Sequence, residues 1–223
     1  MPPWCGDVGP AVASGSLILV LGGARSGKST FAERLAAELA ASRAGRVTFL
    51  ATCEANDDEM AARVAAHRAA RPAAWQTVEC PLTVAAAVRE HAAATDLFLL
   101  DCVTFWSSNL LFSGGAFGGT EPGLGHDRSL LPVDEERAAH ARVQAAVDDL
   151  LEALDETGAA MVAVSNEAGL GVVPEYPLAR LYRDALGWAN QRLAAGAERV
   201  YFLVAGLPID VKALSFSQFP SKE

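Results

Sequence analysis

The chain has 223 residues, 51% of them hydrophobic and 20% charged, which suits one globular domain with a sizeable core. Its net charge of −9 argues against non-specific binding to nucleic acid or to anionic membrane surfaces. The four cysteines form no CxxC pair, and the sequence has no apolar run of the ~20 residues that span a bilayer. We therefore expect a cytoplasmic protein with reduced thiols, no membrane span and a local basic cluster at any anion site.

Five short, continuously apolar runs predict strands that are covered on both faces. In chain order they are residues 17–21, 47–51, 97–100, 161–164 and 200–204. Alanine-rich helical segments lie between them, so we predict a mostly parallel α/β sheet flanked by helices and joined by right-handed crossovers. A single domain is predicted over residues 16–212. Residues 1–15 are predicted to be a flexible leader, 213–223 a tail, and the Gly-rich segment 113–132 a surface loop.

A phosphate-binding pattern, GxxxxGK[ST], occurs between the first predicted strand and the following helix. In such a loop the backbone N–H groups wrap a phosphate, and the helix N-terminus adds positive potential. Lys28 is predicted to reach the β- and γ-phosphates, and Ser29 to bind Mg²⁺. We therefore predict a P-loop NTPase-type fold that binds a nucleoside triphosphate. The residues of this loop are Gly22, Gly23, Ala24, Arg25, Ser26, Gly27, Lys28 and Ser29.

Polar residues follow the third apolar run, at the sheet edge where ligands of open α/β sheets bind. Asp101 lies where a Walker-B carboxylate would hold the Mg²⁺ shell beside Ser29. Thr104 and Asn109 come next, and turn or helix-cap roles explain them equally well. Glu79 follows a separate segment and is either an acceptor for a purine or ribose or half of a surface ion pair.

A basic cluster lies between the second and third apolar runs of this acidic chain. Arg63 and His67 are four residues apart and share a helix face, and Arg68 and Arg71 follow. One interpretation is a solvated basic face on which His67 is incidental. The other is covalent: a neutral imidazole attacks the α-phosphorus of a nucleotide while Mg²⁺ and arginines neutralise the phosphate charge.

The segment 164–174, VSNEAGLGVVP, is rich in small and polar residues, as ligand-lining loops are. Arg180, Arg183, Asp184 and Asn190 follow and recur roughly on one helical face. A capped, solvated helix is the alternative interpretation.

Four blocks occur in order along residues 17–212: GGARSGKS; ATCEANDDEMAARVAAHRAARP with a following W and TVE; LLDCVTFWSSNLL; and VSNEAGLGVVPEYPLARLYRDALGWANQRLA. Together they resemble the bifunctional adenosylcobinamide kinase/adenosylcobinamide-phosphate guanylyltransferase family of cobalamin biosynthesis. The resemblance implies that ATP or GTP phosphorylates the aminopropanol hydroxyl of adenosylcobinamide. It further implies that GMP from GTP moves onto this phosphate through a GMP–histidine intermediate, giving adenosyl-GDP-cobinamide.

The resemblance implies that His67 carries the GMP, that Lys28 acts in the P-loop, and that the chain forms a homo-oligomer, since a trimer is known in the family. Ala74 and Ala66 stand where relatives have histidines, so His67 is the only histidine of this segment. The residues implied to contact guanine nucleotide are Ala51, Thr52, Cys53, Arg68, Ala69, Ala70, Arg71 and Glu79, with Asp101 as the acidic residue after the third strand.

Two other functions remain open from the sequence. One is a P-loop kinase of another small alcohol, in which His67 is structural. The other is a P-loop nucleotide-binding regulator that transfers no group. A guanylyl-enzyme adduct formed from GTP alone separates the bifunctional enzyme from both.

Overall fold

The computed structural model describes residues 15–41, 45–53, 71–113 and 133–214. Seven strands form one sheet in the order β3-β2-β4-β5-β1-β6-β7. The strands are β1 Leu17–Gly22, β2 Val47–Ala51, β3 Gln76–Glu79, β4 Leu97–Asp101, β5 Met161–Asn166, β6 Arg199–Val204 and β7 Leu207–Asp210. The helices are α1 Lys28–Ala41, α2 Val84–His91, α3 Val103–Phe112, α4 Val133–Thr157, α5 Pro177–Gly196 and α6 Val211–Leu214, with a 3-10 turn at Ala92–Ala94.

The predicted mostly parallel sheet is confirmed, because every neighbouring pair of strands is parallel except β6 and β7. The five apolar runs became β1, β2, β4, β5 and β6. Sequence analysis missed β3 and β7, which have four residues each and lie at the two edges of the sheet. Edge strands expose one side of their backbone and one or both faces, so they lack the continuous apolar signal of central strands.

The two faces of the sheet carry different cores. On one face α1 packs through residues such as Leu35 and Leu39 against alternate strand residues, including Val20 and Phe49. On the other face α2, α3, α4 and α5 cover the intervening residues, such as Leu19. Because alternate residues of each central strand are buried on opposite faces, the apolar runs are continuous. Replacing a buried leucine such as Leu35 by alanine typically costs roughly 2–5 kcal/mol of stability.

The starts of two helices have local causes in the sequence. Helix α1 begins at Lys28 inside the P-loop motif, and Pro177 occupies the first turn of α5, where its fixed φ and missing N–H are tolerated. Helix α4 is tied to α2 by Arg89, which pairs with Asp149 and Glu156 at 2.8 and 2.7 Å. In the part of the chain that the structure describes, no helix combines the length and apolar character needed to cross a membrane.

The predictions for the leader and the Gly-rich loop fall almost entirely outside the described residues, as does the segment 54–70 with its basic cluster. The first two residues of the predicted tail belong to α6, and the rest of the tail is also outside the described residues. The domain limits given for 16–212 stay a prediction.

Candidate nucleotide site

The P-loop motif forms a tight turn between β1 and α1. The amide of Ser26 donates to the carbonyl of Gly23 at 3.3 Å, and Phe31 N donates to Gly27 O at 2.9 Å where the helix ladder begins. Lys28 is the first helical residue, and its ammonium folds back to donate to Gly23 O at 3.2 Å. The lysine is thus held over the loop at the N-terminus of α1, which is where positive potential favours a phosphate.

The glycines of the motif have separate physical causes. A Cβ on Gly22 would lie 2.5 Å from Ser26 Oγ, closer than packed atoms approach, and would make a tight contact of 3.0 Å with the carbonyl oxygen of Leu203. Gly27 has a φ of 89°, in the left-handed region that side chains disfavour. The turn after β6 supports the loop from outside, because Gly206 N donates to Ser26 O at 3.0 Å.

Three predicted site residues lie in one row across the sheet. The parallel register pairs Glu79 with Ala51, Ala51 with Asp101, and Asp101 with Val164, which pairs with Val20 of the P-loop strand. Val164 and Val20 belong to the core beneath α1, so the whole row faces that side. With strands about 4.8 Å apart, Asp101 lies about 10 Å and Glu79 about 19 Å from β1. Asp101, Ala51 and Glu79 therefore lie in a row at the carboxyl ends of the strands, and the distance from the P-loop increases in that order.

Side-chain hydrogen bonds connect the loops that follow β2, β3 and β4. The Thr52 hydroxyl donates to the carbonyl of Cys102 at 2.8 Å and accepts from its N–H at 2.9 Å, and both residues are buried. Asn109 Nδ2 donates to the carbonyls of Thr52 and Pro81 at 2.8 and 3.0 Å. Asn109 is therefore a brace between loops rather than a turn or cap residue. The peptide bond between Asp101 and Cys102 is cis.

Part of the predicted basic cluster can be located. The guanidinium carbon of Arg71 lies 3.3 Å from the centroid of the Phe49 ring, a cation–π contact on the α1 side of β2. Phe49 lies two residues before Ala51 on the same face of β2. Arg71 therefore lies beside the row formed by Glu79, Ala51 and Asp101, on the side toward the strand N-termini. His67, Arg68, Ala69 and Ala70 lie outside the described residues, as does Arg63. Their roles stay predictions.

Asn166, at the end of β5, is a candidate residue that sequence analysis did not single out. It is the register partner of Gly22, its N–H donates to Thr104 Oγ1 at 3.0 Å, and its carbonyl accepts from Asn190 at 2.9 Å. Its side-chain Oδ1 is buried and has no hydrogen-bond partner within the described ranges; the same holds for Ser26 Oγ. The polar segment after the fourth apolar run pointed to this loop, but no sequence pattern marks the individual atom.

The buried thiols of Cys80 and Cys102 are protonated at neutral pH. Burial, with a further contribution from the charge of Asp101, raises the pKa of Cys102 to about 11. Burial raises the pKa of Cys80 to about 12. Cys53, Cys80 and Cys102 are free cysteines. Among the residues described, no group of three or more His, Cys, Asp or Glu side chains is arranged to hold a metal ion.

Comparison with known proteins identifies the family. The family model described as cobinamide kinase/cobinamide phosphate guanyltransferase matches residues 18–211. The chain belongs to this family. A bifunctional adenosylcobalamin biosynthesis protein, CobP, of Pseudomonas aeruginosa is 46% identical over 194 residues, covering 87% of this chain and 96% of that protein. The CobU proteins of Salmonella typhimurium and Escherichia coli, with the same description, are 40% and 39% identical over 88% of this chain and 99% of their own lengths.

The cobinamide kinase/cobinamide phosphate guanyltransferase match begins at the second residue of β1 and ends at the first residue of α6. It therefore spans the whole sheet, including both edge strands, and confirms the resemblance that four sequence blocks had indicated. The roles of individual site residues in this family member stay predictions.

Proposed function

We propose that this chain phosphorylates adenosylcobinamide, from ATP or GTP, and then transfers GMP from GTP onto the phosphate to give adenosyl-GDP-cobinamide. The observation that carries the proposal is a P-loop, with Asp101 at the matching sheet edge, in a chain that matches the family over residues 18–211. A kinase of another alcohol and a non-transferring regulator account for the P-loop but not for this match.

In the kinase step the acceptor hydroxyl attacks the γ-phosphorus and gives up its proton to solvent, the bond to the β–γ bridging oxygen breaks, and the nucleoside diphosphate leaves. Lys28, now 3.2 Å from Gly23 O, would exchange that carbonyl for phosphate oxygens. The backbone N–H groups from Gly22 to Ser29 would hold the remaining phosphate oxygens. This positions the triphosphate without any covalent role for the loop.

The donor set fits Mg²⁺. Ser29 is half-buried in the first turn of α1, and Asp101 faces the α1 side from the end of β4. Mg²⁺ is usually held by one or two protein ligands together with phosphate oxygens and water, so a hydroxyl and a carboxylate suffice. When bound there, Mg²⁺ would neutralise negative charge on the phosphates.

In the guanylyl step we assign the nucleophile to His67. Its imidazole nitrogen attacks the α-phosphorus of GTP, and pyrophosphate leaves. A phosphate oxygen of adenosylcobinamide phosphate then attacks the same phosphorus, and the phosphorus–nitrogen bond to His67 breaks. Guanine-nucleotide contacts are assigned to Ala51–Cys53 at the strand ends, to Arg68–Arg71 and to Glu79. Because the Thr52 hydroxyl is bonded to the Cys102 backbone, a Thr52 contact would use its main chain.

The experiment is incubation with α-labelled GTP alone, followed by denaturation and peptide mapping. The label should map to His67, survive alkali and be released by acid, as a phosphorus–nitrogen bond to imidazole behaves. His67→Ala should lose the adduct and guanylyl transfer but keep part of the kinase activity. His91→Ala, on α2 away from the row, is the matched control and should keep both. A label that maps elsewhere, or persists in His67→Ala, contradicts the assignment.

The proposal carries two further expectations. Its corrinoid and nucleotide substrates are small molecules, and we expect the enzyme to act in the cytoplasm. We also expect a homo-oligomer, with a trimer as the state to test by light scattering. A monomer at all accessible concentrations would contradict that state without affecting the assignment of the reactions.

A further inference from the structure

A cavity of about 720 Å³ lies on the face of the sheet opposite α1, between the ends of β1 and β5 and the helices α4 and α5. Leu21 and Glu167 form its floor, His140 lies on the α4 wall, and Gly187 and Trp188 lie on the α5 wall. Its volume is in the range of small-molecule sites, about 300–1,000 Å³. None of the roles proposed above uses this space.

The cavity adjoins the P-loop through the sheet. Leu21 is the residue before Gly22, and it packs with the core on the α4 and α5 side. Glu167 N donates to the carbonyl of Gly22 at 3.2 Å, which fixes the floor of the cavity to the start of the P-loop. The row from Asp101 to Glu79 leads from β1 toward the opposite edge, on the α1 face. A nucleotide that follows this row leaves the cavity open to the second substrate.

The cavity wall combines apolar and polar groups. The rings of His140 and Trp188 meet edge to face with centroids 6.1 Å apart. Arg183 is mostly buried and is paired with Asp184, with a nitrogen–oxygen distance of 3.0 Å. Gln191 lies about two turns further along α5. Such a wall suits a ligand with an apolar body and several amide groups.

The polar face of α5 that the sequence indicated divides into two parts. Asn190 bonds to Ser165 Oγ at 2.6 Å and to the carbonyl of Asn166 at 2.9 Å, so its side chain is used within the fold. Arg180 bonds to the carbonyls of Pro174 and Glu175 at 3.0 and 2.6 Å. Arg183 and Asp184 line the cavity, and so does Asn190 beside its bonds within the fold, whereas Arg180 does not.

The mouth of the cavity continues into exposed apolar surface. Gly169 lines the cavity, and the loop that follows it exposes Leu170, Val172 and Tyr176 by 78%, 95% and 68%. Several large apolar side chains exposed together on one loop mark an interaction surface. A flat, largely apolar ring system would lie against this loop while a polar arm enters the cavity.

We propose that this cavity is the acceptor site, taking the amide-bearing aminopropanol arm of the corrinoid so that its hydroxyl, and later its phosphate, reaches the P-loop edge. This inference rests on the proposed function. Arg183 and Gln191 would bind the amides, and the rings of Trp188 and His140 would contact the methylene groups of the arm.

Gly187→Leu tests the site by filling it. Gly187 lines the cavity, and among the described residues a Cβ there would meet nothing within 4 Å, which leaves open space for a larger side chain at this wall. We expect the KM for adenosylcobinamide at saturating ATP to rise about tenfold or more. The KM for ATP, and the amount of GMP adduct formed from GTP alone, should stay at the wild-type values. Ala145→Leu, which adds a leucine on the exposed side of α4, is the control.

Arg183→Gln tests the same site without adding volume. It should raise the KM for adenosylcobinamide and the KM for adenosylcobinamide phosphate. A corrinoid KM within twofold of wild type in both folded variants would overturn the inference. So would a raised KM for ATP or a lost adduct, because the cavity would then belong to the nucleotide. Failure of the proposed function is distinguishable, since the wild-type enzyme would itself neither form the adduct nor phosphorylate the corrinoid.

Discussion

The Thr52 hydroxyl and the Cys102 peptide group exchange two hydrogen bonds, at 2.8 and 2.9 Å, between the ends of β2 and β4. The pair is buried and adjoins Asp101, the carboxylate proposed to hold Mg²⁺. Asn109 binds the carbonyl of Thr52 from α3 at 2.8 Å. The position of Asp101 therefore depends on the side chain of Thr52 at the end of β2, and strands β4 and β5 separate β2 from the P-loop strand β1.

Thr52→Val should lower the free energy of unfolding by roughly 1–3 kcal/mol, because it leaves a buried N–H and a buried carbonyl without their partner at nearly constant volume. Thr52→Ser keeps the hydroxyl and should retain most of the stability. Urea unfolding measures both variants. A Thr52→Val midpoint equal to wild type would mean that the two bonds contribute nothing to stability.

Lys28→Ala should impair phosphorylation and guanylyl transfer together, because one loop holds the phosphates in both reactions. Removing a positioned charge from a phosphoryl transition state commonly costs several kcal/mol, so both rates should fall by about a hundredfold or more. Arg34→Ala removes a positive charge from the exposed side of the same helix and serves as the control. If Lys28→Ala kept both rates near wild type, the role of the P-loop would be wrongly assigned.

Asp101→Asn keeps the size of the side chain and removes its charge. If Asp101 holds the Mg²⁺ shell, the Mg²⁺ concentration needed for half-maximal kinase rate should rise about tenfold. The control Asp155→Asn lies on the exposed side of α4. An unchanged Mg²⁺ titration for Asp101→Asn would restrict this residue to a structural role.

The sequence predicted the central sheet because five strands are buried on both faces and are therefore continuously apolar. It located the P-loop because the glycine spacing is imposed by backbone geometry at Gly22 and Gly27. It could not show that Arg183 lines a cavity while Arg180 binds carbonyls, since both look alike on a helical face. Such differences depend on what other elements bring to that face.

The buried thiols give a prediction about pH. Because the pKa of Cys102 is raised from 9 to about 11 and that of Cys80 to about 12, both stay protonated in the folded chain when unfolded thiols ionise. Their contribution to stability is therefore complete below pH 9 and is lost as the pH rises from there toward 11–12.

The same burial predicts the order of alkylation. At neutral pH iodoacetamide should modify the half-buried Cys53 before Cys80 or Cys102, and it should modify Cys80 and Cys102 once urea unfolds the chain. Rapid native labelling of Cys102 would contradict its burial.

Asn166 and Asn109 differ in how their side-chain amides are hydrogen-bonded. Asn109 donates to two loop carbonyls, whereas Asn166 presents a buried Oδ1 that finds no donor in the described ranges. A buried acceptor without a donor costs about 1–3 kcal/mol, so the fold gains nothing from that oxygen. Asn166 pairs in register with Gly22, which places the oxygen beside the P-loop. The donor expected there in the proposed reaction is the acceptor hydroxyl.

We therefore expect Asn166→Ala to leave the free energy of unfolding within about 1 kcal/mol of wild type, because the unpaired oxygen is removed together with its side chain. The kcat for phosphoryl transfer should fall by about tenfold to a hundredfold, because a positioned acceptor beside the reacting groups is lost. Asn109→Ala should instead lower stability by roughly 1–3 kcal/mol, because it leaves the carbonyls of Thr52 and Pro81 without their donor. Urea unfolding and steady-state kinetics on the two variants measure the contrast. A stable Asn166→Ala variant with wild-type kcat would show that the buried oxygen takes no part in the reaction.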